Sequence, residues 1–493
     1  MTTPLKPLDW LVIALYAVGM LLVGWFYGRR SKTSADYMLG GRNMSPMAVG
    51  LSLFATLLST LSYLSFPGET IKYGPMVLAW LAALPLIAIV VGWGLIPVLM
   101  RQPVTSAYEI LEMKLGLGVR LLGSVFFLFL RLFWMSLVIY ATADIVLVRV
   151  LGVGAAAVPW LCAMLGLLTV VYTSWGGLRA VVMTDVIQTA ILFGGAVLTL
   201  VVITRDMGGV SAWWPREWPA HWQEPVFWHD PEVRYTFIGM SLSMFTWFVC
   251  TAGSDQVAVQ RYMATRDARA ARQMYLWSLG AELVVSPLLA VVGIALLAYF
   301  QLHTDLVPSG VDPLRIADDL LPIFIVQRLP AGISGLVIAG LLAAAMSSLS
   351  SGLNSSCSVV MSDFVERFRR DKLPETVRVR LSQLVSVGIG LLVVALGSLV
   401  SQVEGNLLEL CFKIANLLTA PLFVLMFLAL FVPWATPLGA YAGAAVGVYT
   451  AVAIGFYSIY ELGFVWLIPA SFITGTGMAA LVSLMDKRLK QYP

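Results

Sequence analysis

Apolar runs of about 20 residues recur from one end of the chain to the other, and Lys, Arg and Asp collect in the short stretches between them. At about 1.5 Å per residue, each run crosses the ~30 Å hydrocarbon layer of a bilayer as a helix. Short segments of alternating polarity, the mark of a membrane β-barrel, are missing. The pattern predicts thirteen spans, at 9–28, 46–72, 75–99, 119–149, 157–176, 184–204, 236–255, 273–300, 330–361, 380–402, 406–430, 437–457 and 463–485. The fold class is therefore an all-α polytopic membrane protein. The first run, WLVIALYAVGMLLVGWF (10–26), is too long for a signal-peptide core. Its basic flank RRSK follows it rather than precedes it, and it is expected to stay as a membrane helix.

Composition agrees. Of 493 residues, 59% are hydrophobic and 12% charged, with mean hydropathy +0.86, whereas soluble domains carry about a quarter charged residues. The net charge of +4 follows from topology rather than from a nucleic-acid partner. Alternate loops hold nineteen Lys and Arg on one side and eight on the other. That bias puts the C-terminus in the cytoplasm and, with an odd span number, the N-terminus outside. The loop ERFRRDKLPETVRVR (366–380) is the clearest anchor. The four cysteines lie in apolar segments and the three histidines in polar loops, so neither a disulfide scaffold nor a catalytic metal is expected. The external loop 205–235 carries Trp213, Trp214, Trp218, Trp222 and Trp228, as an interfacial aromatic belt or as a lid over an outer vestibule. No linker or soluble domain interrupts the chain, which reads as one membrane domain.

Ionisable residues within spans are few: Arg131, Asp144, Asp185, Glu282 and Lys413. Such groups are paired or functional. Two spans carry hydroxyl- and glycine-rich interruptions, SLFATLLSTLSYLSFPGE (52–69) and SMFTWFVCTAGSDQVAVQRY (243–262). They lie five spans apart, the offset of an inverted repeat, and paired interruptions point to a transporter's binding site. A third oddity is AAAMSSLSSGLNSS (343–356), polar within an apolar helix. At about 100° per residue, Ser347, Ser348, Ser351 and Ser355 fall in one stripe with Ala344, and Ser350 and Asn354 on its shoulder. Neutral oxygens suit a cation of low charge density such as Na⁺ and are cheap to bury. Small hydroxyl residues also serve as close helix contacts, and this stretch alone leaves both uses open.

Several motifs together resemble the sodium:solute symporter family. KTSADYMLGGRNMS (32–45), FATLLSTLS (54–62), TSWGGLRAVVMTDVIQ (173–188), GSDQVAVQRYMATRD (253–267) and the serine run stand in the family's order, within a resemblance spanning roughly residues 9–430. TSAYEILEMKLGLGVRLLGS (105–124) is similar to the monocarboxylate, vitamin and iodide branch. The resemblance implies the five-plus-five inverted-repeat fold of the bacterial leucine transporter, with the first and sixth core helices broken. The expected division is an extra helix at 9–28, repeats at 46–204 and 236–430, and two further helices within 437–485. It implies a first Na⁺ site at Ala55, Leu58, Ala344, Ser347 and Ser348. A second joins Asp185 to Ser347, Ser350 and Ser351.

The implied activity is secondary active symport in the cell membrane, coupling inward Na⁺ movement to a small organic solute by alternating access, without enzymatic chemistry and without need of an oligomer. Ser59, Ser62, Phe248 and Thr251 are the implied solute contacts. PMVLAW (75–80) and TWFVCT (246–251) are too apolar for the sugar-handling pattern. Arg131, on a helix where sialic acid relatives use an arginine, favours a carboxylate, since guanidinium pairs with carboxylate bidentately. Arg131 is alternatively held by an internal pair with Glu282, a possible gating partner at similar depth. A neutral solute, a transporter-like sensor and a channel are the competing classes. A kinase extension is expected only of the sensor, and intact sodium ligands argue against the channel.

Overall fold

The computed structural model describes residues 5–491 except 32, 103, 229, 231–232, 308–310, 372, 401–415 and 458–462. Cys411, Lys413, His229 and the first part of the expected span 406–430 lie outside the described residues. The membrane-scale helices are α1 (Pro7–Gly28), α2 (Pro46–Leu57), α3 (Thr60–Tyr73), α4 (Pro75–Leu99), α5 (Leu117–Leu151), α6 (Val158–Asp206) and α7 (Phe237–Ser254). They continue as α8 (Gln256–Met263), α9 (Ala268–Leu302), α10 (Ile333–Glu366), α11 (Glu375–Val400), α12 (Thr419–Phe431), α13 (Pro437–Tyr457) and α14 (Phe464–Arg488). Among the described residues there is no strand. Ten of these helices are long and apolar enough to cross a bilayer, or eleven if the bent pair α2 and α3 is one span.

The breaks have local causes. α2 ends at Leu58, whose φ −85°, ψ 101° leaves the helical region, and Ser59 caps α3 by accepting from the Ser62 amide. The two arms meet at 65°. α6 has 49 residues, about 74 Å at the helical rise, too long for one crossing. It breaks at Gly177, where φ 59°, ψ −161° has no room for a side chain, since a Cβ would sit 2.6 Å from the Tyr37 carbonyl. That single residue separates the expected spans 157–176 and 184–204. α7 and α8 part at Asp255, whose carboxylate accepts from the Val257 amide at 2.8 Å and starts the second helix.

α10 sits at the centre. Of its most apolar 18 residues, 89% are buried, against 17% for the peripheral α1. A helix wrapped by protein on all sides can carry hydroxyls that a lipid-facing helix cannot. Asp9 of α1 holds the N-terminus of α10, accepting from the Gly332 and Gly335 amides at 2.7 and 3.0 Å and from Ser334 Oγ at 2.7 Å. Those are unpaired helix-end donors, and a carboxylate there also complements the helix dipole. The loop rich in tryptophan folds over the end of α3: Trp213 and Trp222 are buried and the Trp222 indole donates to the Ile71 carbonyl at 3.1 Å, while Trp214, Trp218 and Trp228 are exposed.

Candidate functional site

α2, α6, α8 and α10 converge on one buried polar cluster beside the first break. Asp185 of α6 is fully buried and accepts from Ser347 Oγ at 2.7 Å, Ser52 Oγ at 2.5 Å and Ser351 Oγ at 3.4 Å. The Arg261 guanidinium, itself fully buried, reaches the same carboxylate at 3.3 Å. It also donates to Ser52 Oγ at 2.9 Å, Thr56 Oγ1 at 2.7 Å and Ser351 Oγ at 2.5 Å. Ser347, Ser351 and Asp185 are thus drawn together as the resemblance implies. Ser350 is not part of this contact: its hydroxyl turns back to the Ser347 carbonyl at 3.1 Å, because an i−3 carbonyl on its own helix is nearer than Asp185.

Of the first-site residues, Ala55, Ala344 and Ser347 line one small internal cavity between α2, α6 and α10. Leu58 occupies the extended break residue and is buried. Ser348 donates to the Thr56 carbonyl at 2.9 Å, and Thr60 donates to the Leu341 carbonyl at 2.8 Å, so hydroxyls stitch α10 to both arms of the broken helix. Among the described residues no three His, Cys, Asp or Glu side chains come together. The cluster sets one carboxylate and its guanidinium partner among hydroxyl oxygens, an oxygen donor set unlike that of a transition metal.

Arg131 requires a correction. Its ion-pair partner is Asp255, at the break between α7 and α8, not Glu282. Its buried Nε has no partner. Glu282 accepts from Ser286 Oγ on its own helix at 3.0 Å and has no basic partner among the described residues. Ser59 is buried as the cap of α3, and Ser62 is partly exposed. Phe248 is buried against Trp80, ring centroids 5.6 Å apart, and Trp80 Nε1 has no partner. Thr251 is buried, and its carbonyl accepts from the Asp255 amide at 3.0 Å.

Sequence reasoning missed Ser52, Thr56, Asp255 and Trp80, and by ending one span at 255 and starting the next at 273 it left Arg261 among the nineteen cytoplasmic loop charges. That assignment is corrected by α8, which carries the QRY triplet inward, between α2, α6 and α10. The one available signal was the position of Arg261 two turns after a capping Asp: a short helix starting at Asp255 puts residue 261 within it.

Helices broken at matching places around a buried cluster of hydroxyls and a carboxylate are the architecture of a secondary active membrane transporter. Residues 37–447 match the sodium:solute symporter family profile, and the chain belongs to that family. It is 30% identical over 456 residues to the sodium/sialic acid symporter SiaT of Proteus mirabilis, covering 89% of this chain and 88% of that protein. It is likewise 30% identical to the sodium-dependent multivitamin transporter of Oryctolagus cuniculus, covering 90% of this chain and 69% of the relative. A solved structure of a substrate-bound, outward-open Na⁺-coupled sialic acid symporter, which reveals a novel Na⁺ site, superposes with a TM-score of 0.85 at 26% identity, over 97% of this chain and 98% of that one. The fold is the leucine-transporter-like one and the activity is Na⁺-coupled symport of a small organic solute, not an enzymatic reaction.

Proposed function

We propose that the chain takes up a small organic carboxylate with two Na⁺, with its N-terminus outside and its C-terminus in the cytoplasm. The observation that carries the carboxylate is Arg131: a buried guanidinium at the second helix break, its Nε free and its Nη2 held by Asp255. A substrate carboxylate that replaces Asp255 satisfies both nitrogens bidentately and frees Asp255 at the break. The names of the relatives support the class, since sialic acid is a carboxylate. The apolar wall of Trp80 and Phe248 supports a modest rather than polyhydroxylated solute. Ser59, Ser62 and Thr251 supply hydroxyls beside it.

The first Na⁺ takes the carbonyls of Ala55, Leu58 and Ala344 with the hydroxyls of Ser347 and Ser348. The second takes Asp185, Ser347 and Ser351, with Ser350 joining by rotation of its side chain, and enters as Arg261 yields its share of Asp185. The inside-positive loop charges support the orientation, and they do so without Arg261, whose removal from the count leaves the bias standing.

A screen of small carboxylates, sugars and amino acids by thermal shift and uptake, with and without Na⁺, tests the class. A carboxylate giving saturable Na⁺-dependent uptake is the expected result. Arg131→Gln should abolish its uptake. Recovery of carboxylate uptake in Arg131→Gln/Asp255→Asn would show that Arg131 only balances Asp255, and the carboxylate role would fall.

A further inference from the structure

α9 carries a buried acid that neither the solute contacts nor the ion sites use. Its buried stripe runs through Ser278, Glu282, Val285, Ser286 and Leu289, while Leu283 and Val284 are exposed. Two close contacts fix its level. A Cβ on Gly50 would lie 2.3 Å from the Met274 carbonyl, and one on Gly293 would lie 2.6 Å from the Pro67 carbonyl, so α9 runs tightly along both α2 and α3. From Met274 to Glu282 is the same number of residues as from Gly50 to Leu58. At one helical rise, Glu282 therefore stands level with the break at Leu58.

Glu282 is buried to 6% exposure, and its hydrogen-bond partner among the described residues is Ser286 Oγ, at 3.0 Å on its own helix. The elements packed against α9 bring no free counter-charge. α2 and α4 have no ionisable side chain. On α3, Glu69 is bound by Arg234 and Lys72 by Asp318, Tyr63 turns to the Leu192 carbonyl at 3.3 Å, and Tyr73 lies under Arg234. Asp185 of α6 and Arg261 of α8 pair with each other. Arg272 of α9 itself stacks over Trp93 at 4.6 Å. Asp206, Asp305 and Arg328 gather around Tyr299, about 25 Å along α9 from Glu282. What lies within electrostatic reach of Glu282 is Tyr275, and next to that Tyr262 of α8, ring centroids 6.4 Å apart. Both tyrosines are buried, and neither hydroxyl has a hydrogen-bond partner. Asp255, beyond Tyr262, is held by Arg131.

An ionised carboxylate buried without a cation costs far more than a neutral carboxyl. A metal ion is no remedy here. Hard cations gather about six oxygens, and one carboxylate with one serine hydroxyl falls well short. A proton needs no such shell, and the row of Glu282, Tyr275 and Tyr262 consists of groups that carry one.

We infer that Glu282 is a proton-binding site set against the α2–α3 break. The carboxyl is neutral while α9 packs on the broken helix as seen here, and it ionises when the break opens to water. A proton is thus a ligand of the transporter in addition to Na⁺ and solute, and it favours the packed arrangement. The inference is independent of both Na⁺-site assignments and of the role of Arg131.

The test is pH-difference infrared spectroscopy of the purified full chain in Na⁺-free choline buffer. The pH is stepped from about 5.5 to about 9, above the range near 4 where ordinary carboxyls titrate. The parent should lose a protonated-carboxyl carbonyl band that Glu282→Gln lacks. Identical difference spectra for the two proteins overturn the inference. Thermal unfolding over the same range gives a second readout. As pH rises the parent has to bury a charge to stay folded and Glu282→Gln does not, so the parent's melting temperature should fall relative to the variant's. A difference that stays constant with pH overturns the inference as well. If Glu282→Gln does not fold, Glu282→Asp decides: its band should titrate at a different pH, and a band that titrates as in the parent belongs to another residue and sinks the proposal.

Discussion

Asp185→Asn is the most informative single change. The substitution keeps size and hydrogen-bonding shape but deletes the carboxylate that pairs with Arg261. At the observed 3.3 Å, and with an effective dielectric constant of about 20, the lost attraction is about 5 kcal/mol. The hydroxyls of Ser52, Thr56 and Ser351 still accept from the guanidinium, so part of its desolvation stays compensated. Removing one partner of a buried pair typically destabilises by about 3–5 kcal/mol, whereas removing both is far milder. Asp185→Asn should therefore lower the melting temperature clearly, and Asp185→Asn/Arg261→Gln should recover most of the loss. Neither variant should show cooperative Na⁺ dependence, because the second ion site has lost its charge. The assay pairs thermal unfolding in detergent without Na⁺ with uptake against Na⁺ concentration in proteoliposomes. A double variant no more stable than Asp185→Asn would mean that Arg261 does not depend on Asp185. Cooperative Na⁺ activation surviving in Asp185→Asn would remove the second site.

Gly177→Ala forces a side chain onto a positive-φ break and into the Tyr37 carbonyl, and should cost about 1–3 kcal/mol, read as a lowered melting temperature; an unchanged melt would refute it. Outside the spans, hydrogen bonds from Arg367 and Arg120 hold the Glu112 carboxyl at about 2. An acid depressed on folding lends stability that is complete above its unfolded value near 4.3 and is lost as pH falls toward 2. The melting difference between the parent and Glu112→Gln should thus be constant from pH 7 to about 5 and shrink below that; a difference that varies around neutrality would contradict it. Two Na⁺ with a monoanion move one net charge, so an inside-negative potential of 100 mV should raise accumulation by roughly 50-fold, about 2.3 kcal/mol. Uptake into proteoliposomes indifferent to a K⁺–valinomycin potential would refute that stoichiometry.

The parts legible in the sequence are those whose cause is local. A 20-residue apolar run marks a span whatever surrounds it, and the hydroxyl- and glycine-rich stretch at 52–69 marks an interrupted helix. The meeting of Asp185 with Ser347 and Ser351 came from resemblance, because nothing within a window of sequence says that α6 touches α10. Arg261 shows the limit. Beside Arg266, Arg269 and Arg272 it looks like another anchoring charge, and its burial depends on Ser52 and Thr56, about 200 residues earlier, and on Ser351, 90 residues later. Asp255 has the same character. GSDQ reads as an interruption, and the pairing with Arg131 spans 124 residues. Gln188 closes the motif TSWGGLRAVVMTDVIQ, yet its contact with Tyr16 lies 172 residues away in the chain and no local window predicts it.

The buried charges also explain how such a core can accept sodium at all. Arg120 is paired with Asp363, Arg131 with Asp255 and Arg261 with Asp185, each pair drawn from helices far apart in the chain. The pairs cancel, so among the described residues the buried interior holds no unpaired cation that would repel Na⁺. Glu282, buried and without a basic partner among the described residues, adds no positive charge to this interior. The proposed first site is neutral, and its carbonyls and hydroxyls cost little to bury in the ion-free protein. At the proposed second site an ion gains a full carboxylate only by displacing a cation already there. Binding there is an exchange of partners within the cluster, weaker than Coulomb attraction to a free carboxylate would suggest, with the guanidinium still held by the Ser52 and Thr56 hydroxyls of the broken helix that it already contacts. On that proposal Arg261, which the sequence leaves in a cytoplasmic loop, is what links the second ion to the broken helix.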